Sequence, residues 1–141
     1  MAPLPNIEII SVLVMLFAIA LGKYVGYTLS VFVLLEGLVF GFGLWWFSYL
    51  YIWAVPALAG VALRKMDSPL GWAMVSGVYG LAFGALCGIV DLFIGGWAYA
   101  LTKWASGIPF DVLHCAGNFG IALILFKPLW GVLEKLHNRM K

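Results

Sequence analysis

Between residues 9 and 63 the chain carries only two charged side chains, Lys23 and Glu36, and no linker. A soluble domain needs roughly a quarter of its residues charged to cover its surface. Here 10% are charged and 65% hydrophobic, with a mean hydropathy of +1.06. Such a chain would present bare apolar surface to water on every side, and the solvent that fits it is a bilayer. Apolar helices of ~20 residues cross the hydrocarbon. Seventeen Gly and 16% aromatic residues agree with this, because glycine lets helices approach closely in lipid and Trp and Tyr favour the headgroup boundary. The net charge of +2 is small and dispersed, which argues against nucleic acid as a partner.

The apolar runs divide at Gly, Pro and basic residues. The first covers about 7–21 and stops at Gly22-Lys23, and the second covers about 24–40 and stops at Gly41-Phe42-Gly43. The third covers about 44–63, with Pro56 placed to kink it, and ends at Arg64-Lys65. Asp67-Ser68-Pro69 reads as a helix start, a capping side chain ahead of a proline in the first turn. A fourth run then covers about 70–90, and the last, about 109–133, opens with Pro109 as its first helical residue. Residues 91–106 contain Gly95-Gly96, Lys103 and the aromatics Trp97, Tyr99 and Trp104, a pattern expected of an interfacial loop or short helix at the headgroups. The expected fold is all-α: one membrane domain over 1–141, a polytopic bundle of about five transmembrane helices plus that short interfacial segment.

Residues 1–8 hold no Lys or Arg. A cleavable signal needs a positive n-region, so the first run reads as a retained span. Basic residues collect on the cytoplasmic side of a membrane. With the N-terminus outside and five spans, Lys23, Arg64, Lys65, Lys127, Lys135, Arg139 and Lys141 all reach the inner boundary, and only Lys103 falls outside. The expectation is a multi-pass protein of the cell membrane with a cytoplasmic C-terminus. In the fourth run, Ser76, Gly80, Gly84 and Gly88 form a seam of small residues, which fits either ordinary bundle packing or docking of another membrane protein.

Ionisable residues inside a membrane are expensive and therefore informative. Asn6, Glu8, Glu36, Asp91 and Asp111 all fall toward the expected outer side. On the last helix Asp111, His114, Cys115 and Asn118 stand at i, i+3, i+4 and i+7, one face. Trp45 and Trp46 follow the outer turn at Gly43, with Tyr49, Tyr51 and Trp53 beyond. Glu36, Trp45, Trp46, Asp111, His114 and Asn118 together make a candidate pocket for a small, flat, polar molecule. The excess of outer carboxylates over Lys103 favours a cationic or neutral ligand. Each residue also has a plainer reading. Glu36 can pair with Lys103 or His114, Asp111 can cap its helix, His114 and Asn118 can join helices, and the aromatics can be interfacial anchors.

Cys87 and Cys115 show no CxxC or zinc-ligand spacing and read as packing residues. There is no HExxH, GxSxG, P-loop or GxGxxG, so neither metal, cofactor nor enzymatic activity is expected.

Several strings carry a family resemblance. Pro5-Asn6-Ile7-Glu8 leads into an apolar helix, and Val31-Phe32-Val33-Leu34-Leu35-Glu36-Gly37 is followed by Gly41-Phe42-Gly43-Leu44-Trp45-Trp46. The closing run has Gly107-Ile108-Pro109-Phe110-Asp111, His114, Gly117-Asn118-Phe119 and Phe126-Lys127-Pro128-Leu129. Over essentially its whole length the chain resembles a poorly characterised branch of the substrate-binding S components of energy-coupling-factor (ECF) transporters. The resemblance implies a six-helix membrane fold in a bacterial cell membrane, with a pocket near the outer face for a vitamin or other micronutrient. It also implies a transmembrane coupling protein and two ATPase subunits as partners, which would hydrolyse the ATP. Such proteins usually have a further helix before the Pro-Asn-Ile-Glu segment, with small residues spaced by four that contact the coupling protein. This chain is expected to lack it, as a fragment, a misassigned start or a reduced form. The competing reading, from a different class, is a small structural or assembly protein of the membrane with no ligand.

Overall fold

The structure, a computed structural model, describes residues 8–139, the side chains of 137–139 excepted. Asn6, expected in the outer polar group, lies outside the described residues. Every regular element among the described residues is helical. Helix α1 (Ile10–Leu21) is followed by a 3-10 turn (Gly22–Tyr24), α2 (Val25–Phe40), α3 (Leu44–Ile52) and α4 (Ala54–Ala62). A last helical stretch covers Pro69–Arg139 but is interrupted at Gly96, with φ 75° and ψ −174°. That conformation is open essentially to glycine alone. Its two arms are α5 (69–95) and α6 (97–139).

Among the described residues, three stretches are long and apolar enough to cross a membrane: Ile10–Phe40, Leu44–Ala62 and Pro69–Leu136. The first and third turn back at glycines with positive φ, Gly22 and Gly96, so five helical rods pack together. The middle rod is α3 and α4 end to end. Pro56 has no N–H to offer the Ile52 carbonyl, and the ladder breaks at Trp53, close to the expected kink.

The contacts set the helix directions. α5 and α6 are antiparallel, since Gly77 meets Cys115 and Phe119, Gly80 meets the His114 backbone, and Gly84 meets Asp111. α1 runs parallel to α6, with Ser11 against Asn118, and Val12, Met15 and Leu16 clustered with Ala122 and Phe126. The α3–α4 rod runs antiparallel to α5. Its Tyr51 hydroxyl donates to the Leu86 carbonyl at 2.6 Å, while Trp53 meets Phe83 and Tyr79 further down. α2 returns along α3, where the Trp46 indole N–H donates to the Val33 carbonyl at 2.8 Å. Gly60 of α4 approaches the Met15 backbone and Ala18 of α1, which ties the first and middle rods.

Outward faces are apolar: Phe93 is 85% exposed and Tyr27, Leu38, Val39 and Phe40 also point away from the protein. An all-α bundle with such a surface is consistent with a membrane location. Arg64, Lys65 and Lys127 share one end with Asp67, whereas Asp91 and Lys103 lie beside the Gly96 turn at the other.

The helix start at Ser68-Pro69 forms as its residues dictate, the Ser68 hydroxyl accepting the Gly71 N–H at 3.1 Å. Two boundaries depart from expectation. The fourth helix continues past Val90 to Gly95, and the last is already formed at Trp97, so Pro109 sits inside α6 rather than opening it. One glycine suffices to reverse the chain, so residues 91–106 form the ends of two long helices where an interfacial segment was expected. The small-residue seam packs within the chain at Gly80 and Gly84, while a side chain at Gly88 would meet nothing within 4 Å.

Candidate ligand-binding site

The polar face of α6 exists as its spacing demands, but it looks into protein. Asp111, His114 and Asn118 are 6%, 3% and 0% exposed. The Gly84 N–H donates to Asp111 Oδ1 at 2.9 Å, and the Asn118 amide donates to Ser11 Oγ at 3.2 Å. His114 Nε2 stands 3.4 Å from Glu8 Oε1, and the Ser11 N–H and hydroxyl both donate to the Glu8 carboxylate. These bonds tie α6 to α5 and to the start of α1, but among the described residues Asp111 Oδ2 and Asn118 Oδ1 are buried with no hydrogen-bond partner. Asp111 stands well inside α6 and so does not cap that helix. Glu36 pairs with neither suggested partner: Lys103 takes Asp91 and His114 takes Glu8.

The six candidate residues do not converge on one cavity. Glu36 is half-buried on α2, which packs chiefly against α1 and α3 rather than α6. Trp46 faces α2, its indole engaged by Val33 and its ring edge-on to Phe42 at 5.1 Å. Trp45 alone lines a cavity at the Gly96 end. Sequence spacing identified which residues share a helix face; it carried no information on how the five rods are arranged about one another.

That cavity, of about 290 Å³, lies between α3, α5 and α6, near the lower bound of ~300 Å³ for small-molecule pockets. Trp45, Tyr99 and Trp104 contribute aromatic rings, Ser48 a hydroxyl, and Asp91 and Lys103 opposite charges. Lys103 Nζ lies 2.5 Å from Asp91 Oδ1 and 5.7 Å from the Tyr99 ring centroid. The Asp91 side chain is only 8% exposed and that of Lys103 is 55% exposed. α5 presents Asp91 one turn before the Gly96 break, and α6 presents Lys103 nearly two turns after it, so the hairpin brings them face to face. Asp91 and Lys103 flank Gly95-Gly96 at a separation of 12, and a helical reversal at those glycines was the signal that would have paired them.

A second space, of about 470 Å³ between α2 and the middle rod, is walled by Leu29, Val33, Trp46 and Trp53 and carries no charged side chain. The two cysteines are free and half-buried, and no group of three or more His, Cys, Asp or Glu side chains among the described residues is placed to hold a metal. No protein-family model, curated protein or solved structure matches the chain.

Proposed function

We propose that the chain is the membrane-embedded substrate-binding component of an ECF-type importer for a vitamin or other micronutrient. The observation that carries this reading is the 290 Å³ cavity at the Gly96 end, where aromatic rings surround an acid and a base. Pockets of that make-up suit small, flat molecules with a polar group. The family resemblance of the sequence points the same way. The gathering of Arg64, Lys65 and Lys127 at the opposite end supports, through the positive-inside rule, an orientation in a bacterial cell membrane with the cavity outward and the C-terminus inward. Energy would come from partners, a transmembrane coupling protein and two ATPase subunits. This chain would bind and present its cargo without catalysing a reaction.

One observation favours a purely structural role instead. Asp111, His114 and Asn118 are buried, bond across to α5 and to the start of α1, and do not line the cavity. Affinity capture of the chain from its native membrane separates the two. The importer reading requires two ATPases and a larger membrane protein in stoichiometric amounts; their absence from a folded, captured chain contradicts it.

A further inference from the structure

We infer that the cavity at the Gly96 turn takes a flat organic cation, and that the Lys103 ammonium is a tethered stand-in for that cation's charge. The inference rests on the substrate-binding reading and adds the chemical class of the substrate.

Asp91 and Lys103 are not equal partners. Asp91 is held on α5 with its side chain 8% exposed, and a buried carboxylate without a countercharge is severely disfavoured. Lys103 reaches it on a flexible four-carbon stem and is 55% exposed, so its ammonium can return to water at little cost. The fixed element of this pair is therefore the anion, and the replaceable one is the cation.

The position that Lys103 occupies is itself a cation site. Its Nζ touches a carboxylate oxygen at 2.5 Å and sits 5.7 Å from the centroid of the Tyr99 ring. A carboxylate combined with an aromatic face is the arrangement that recognises organic ammonium groups. Trp45 and Trp104 add two further rings to the walls, and Leu44, Val90 and Ile94 add apolar surface for the body of a flat molecule. An anionic ligand would have the opposite consequence. It would draw Lys103 away and leave Asp91 buried without a partner, whereas a cation that displaces Lys103 leaves both charges satisfied.

Three near-isosteric probes test this by equilibrium dialysis against the purified chain: the 1-methylnicotinamide cation, neutral nicotinamide and the nicotinate anion. The expected result is at least tenfold preference for the cation over the other two. Asp91→Asn should abolish that preference, and Lys103→Met should tighten cation binding about tenfold by removing the internal competitor. Lys103→Gln, which retains a polar stem, serves in its place if the methionine variant does not fold. Weaker cation binding in the folded Lys103 variant would make Lys103 a ligand contact and overturn the inference. Binding of nicotinate or nicotinamide equal to that of the cation and insensitive to Asp91→Asn would also overturn it, while leaving a substrate-binding cavity in place. Failure of all three probes with wild type and both variants would overturn the cation class. The broader reading would then be judged separately, by whether the captured chain brings its ATPases.

Discussion

Replacing Gly80 by Ala should loosen the α5–α6 hairpin, and the geometry gives the size of the effect. A Cβ at residue 80 would lie 2.7 Å from the His114 carbonyl oxygen, 2.8 Å from its carbon and 2.9 Å from the Cys115 nitrogen. All three are backbone atoms of a regular helix, so no side chain can swing aside. To reach ordinary contact, α6 must retreat by roughly half an ångström or more along the segment that carries Asp111, His114 and Asn118. Overpacking of this kind costs about 1–3 kcal/mol, against which Ala regains about 0.5–1 kcal/mol of helix propensity. The net expectation is a loss of about 0–2.5 kcal/mol relative to wild type, and of about 1–3 kcal/mol relative to an alanine introduced where no overpacking occurs. Gly88→Ala is the control, because it lies on the same seam two turns on and its new methyl would meet nothing within 4 Å; it should be neutral or slightly stabilising. Equilibrium unfolding of both variants in mixed micelles with increasing SDS, followed by tryptophan fluorescence, reads the difference. Equal stability of the two variants would refute the close α5–α6 contact and the helix register built on it.

Gly96→Ala places a side chain at φ 75° and ψ −174° and should cost about 1–3 kcal/mol in the same unfolding assay; an unchanged midpoint would mean the turn lies elsewhere. Asn118→Leu removes the bond to Ser11 and should cost about 1 kcal/mol, as interhelical hydrogen bonds in membranes do, without altering the affinity of the cavity for a cationic probe. In a background lacking Cys87 and Cys115, a cysteine replacing Trp97 should react with an impermeant thiol reagent from outside intact cells and one replacing Asp67 should not. The reverse pattern would invert the proposed orientation.

Much of the fold is local and therefore readable from the chain. Long apolar runs separated by Gly22, by Gly41-Phe42-Gly43 and by Arg64-Lys65 define rods because lipid forces backbone groups to pair within helices. Ser68-Pro69 starts α5 because a hydroxyl and a proline complement the free amides of a first helical turn. The shared face of Asp111, His114 and Asn118 follows from helical periodicity alone. Its direction does not. Whether that face meets a cavity or another helix depends on where α1 docks, and the contact that decides it joins Ser11 to Asn118 across most of the chain. The run from 91 to 106 was misleading for a related reason. Its aromatic and glycine content resembles a headgroup segment, yet a single residue at positive φ lets both sides stay helical. Depth along the membrane axis does not say which neighbour a side chain faces, and Trp46 turns to α2 and Val33 rather than to the cavity that Trp45 lines.

The proposed function requires the Gly96-end cavity to hold a small molecule. Native mass spectrometry of the chain, purified from its own membrane in a gentle detergent, addresses it directly. The expected result is a bound species of small-molecule mass that is released on mild activation. It should be missing from a folded Ser48→Phe variant, in which the larger ring occupies the space that Ser48, Cys87 and Trp104 now border. A bound species retained in full by that variant would place the ligand elsewhere. Wild-type chain that carries no small molecule, even after incubation with a cell extract, would contradict the claim.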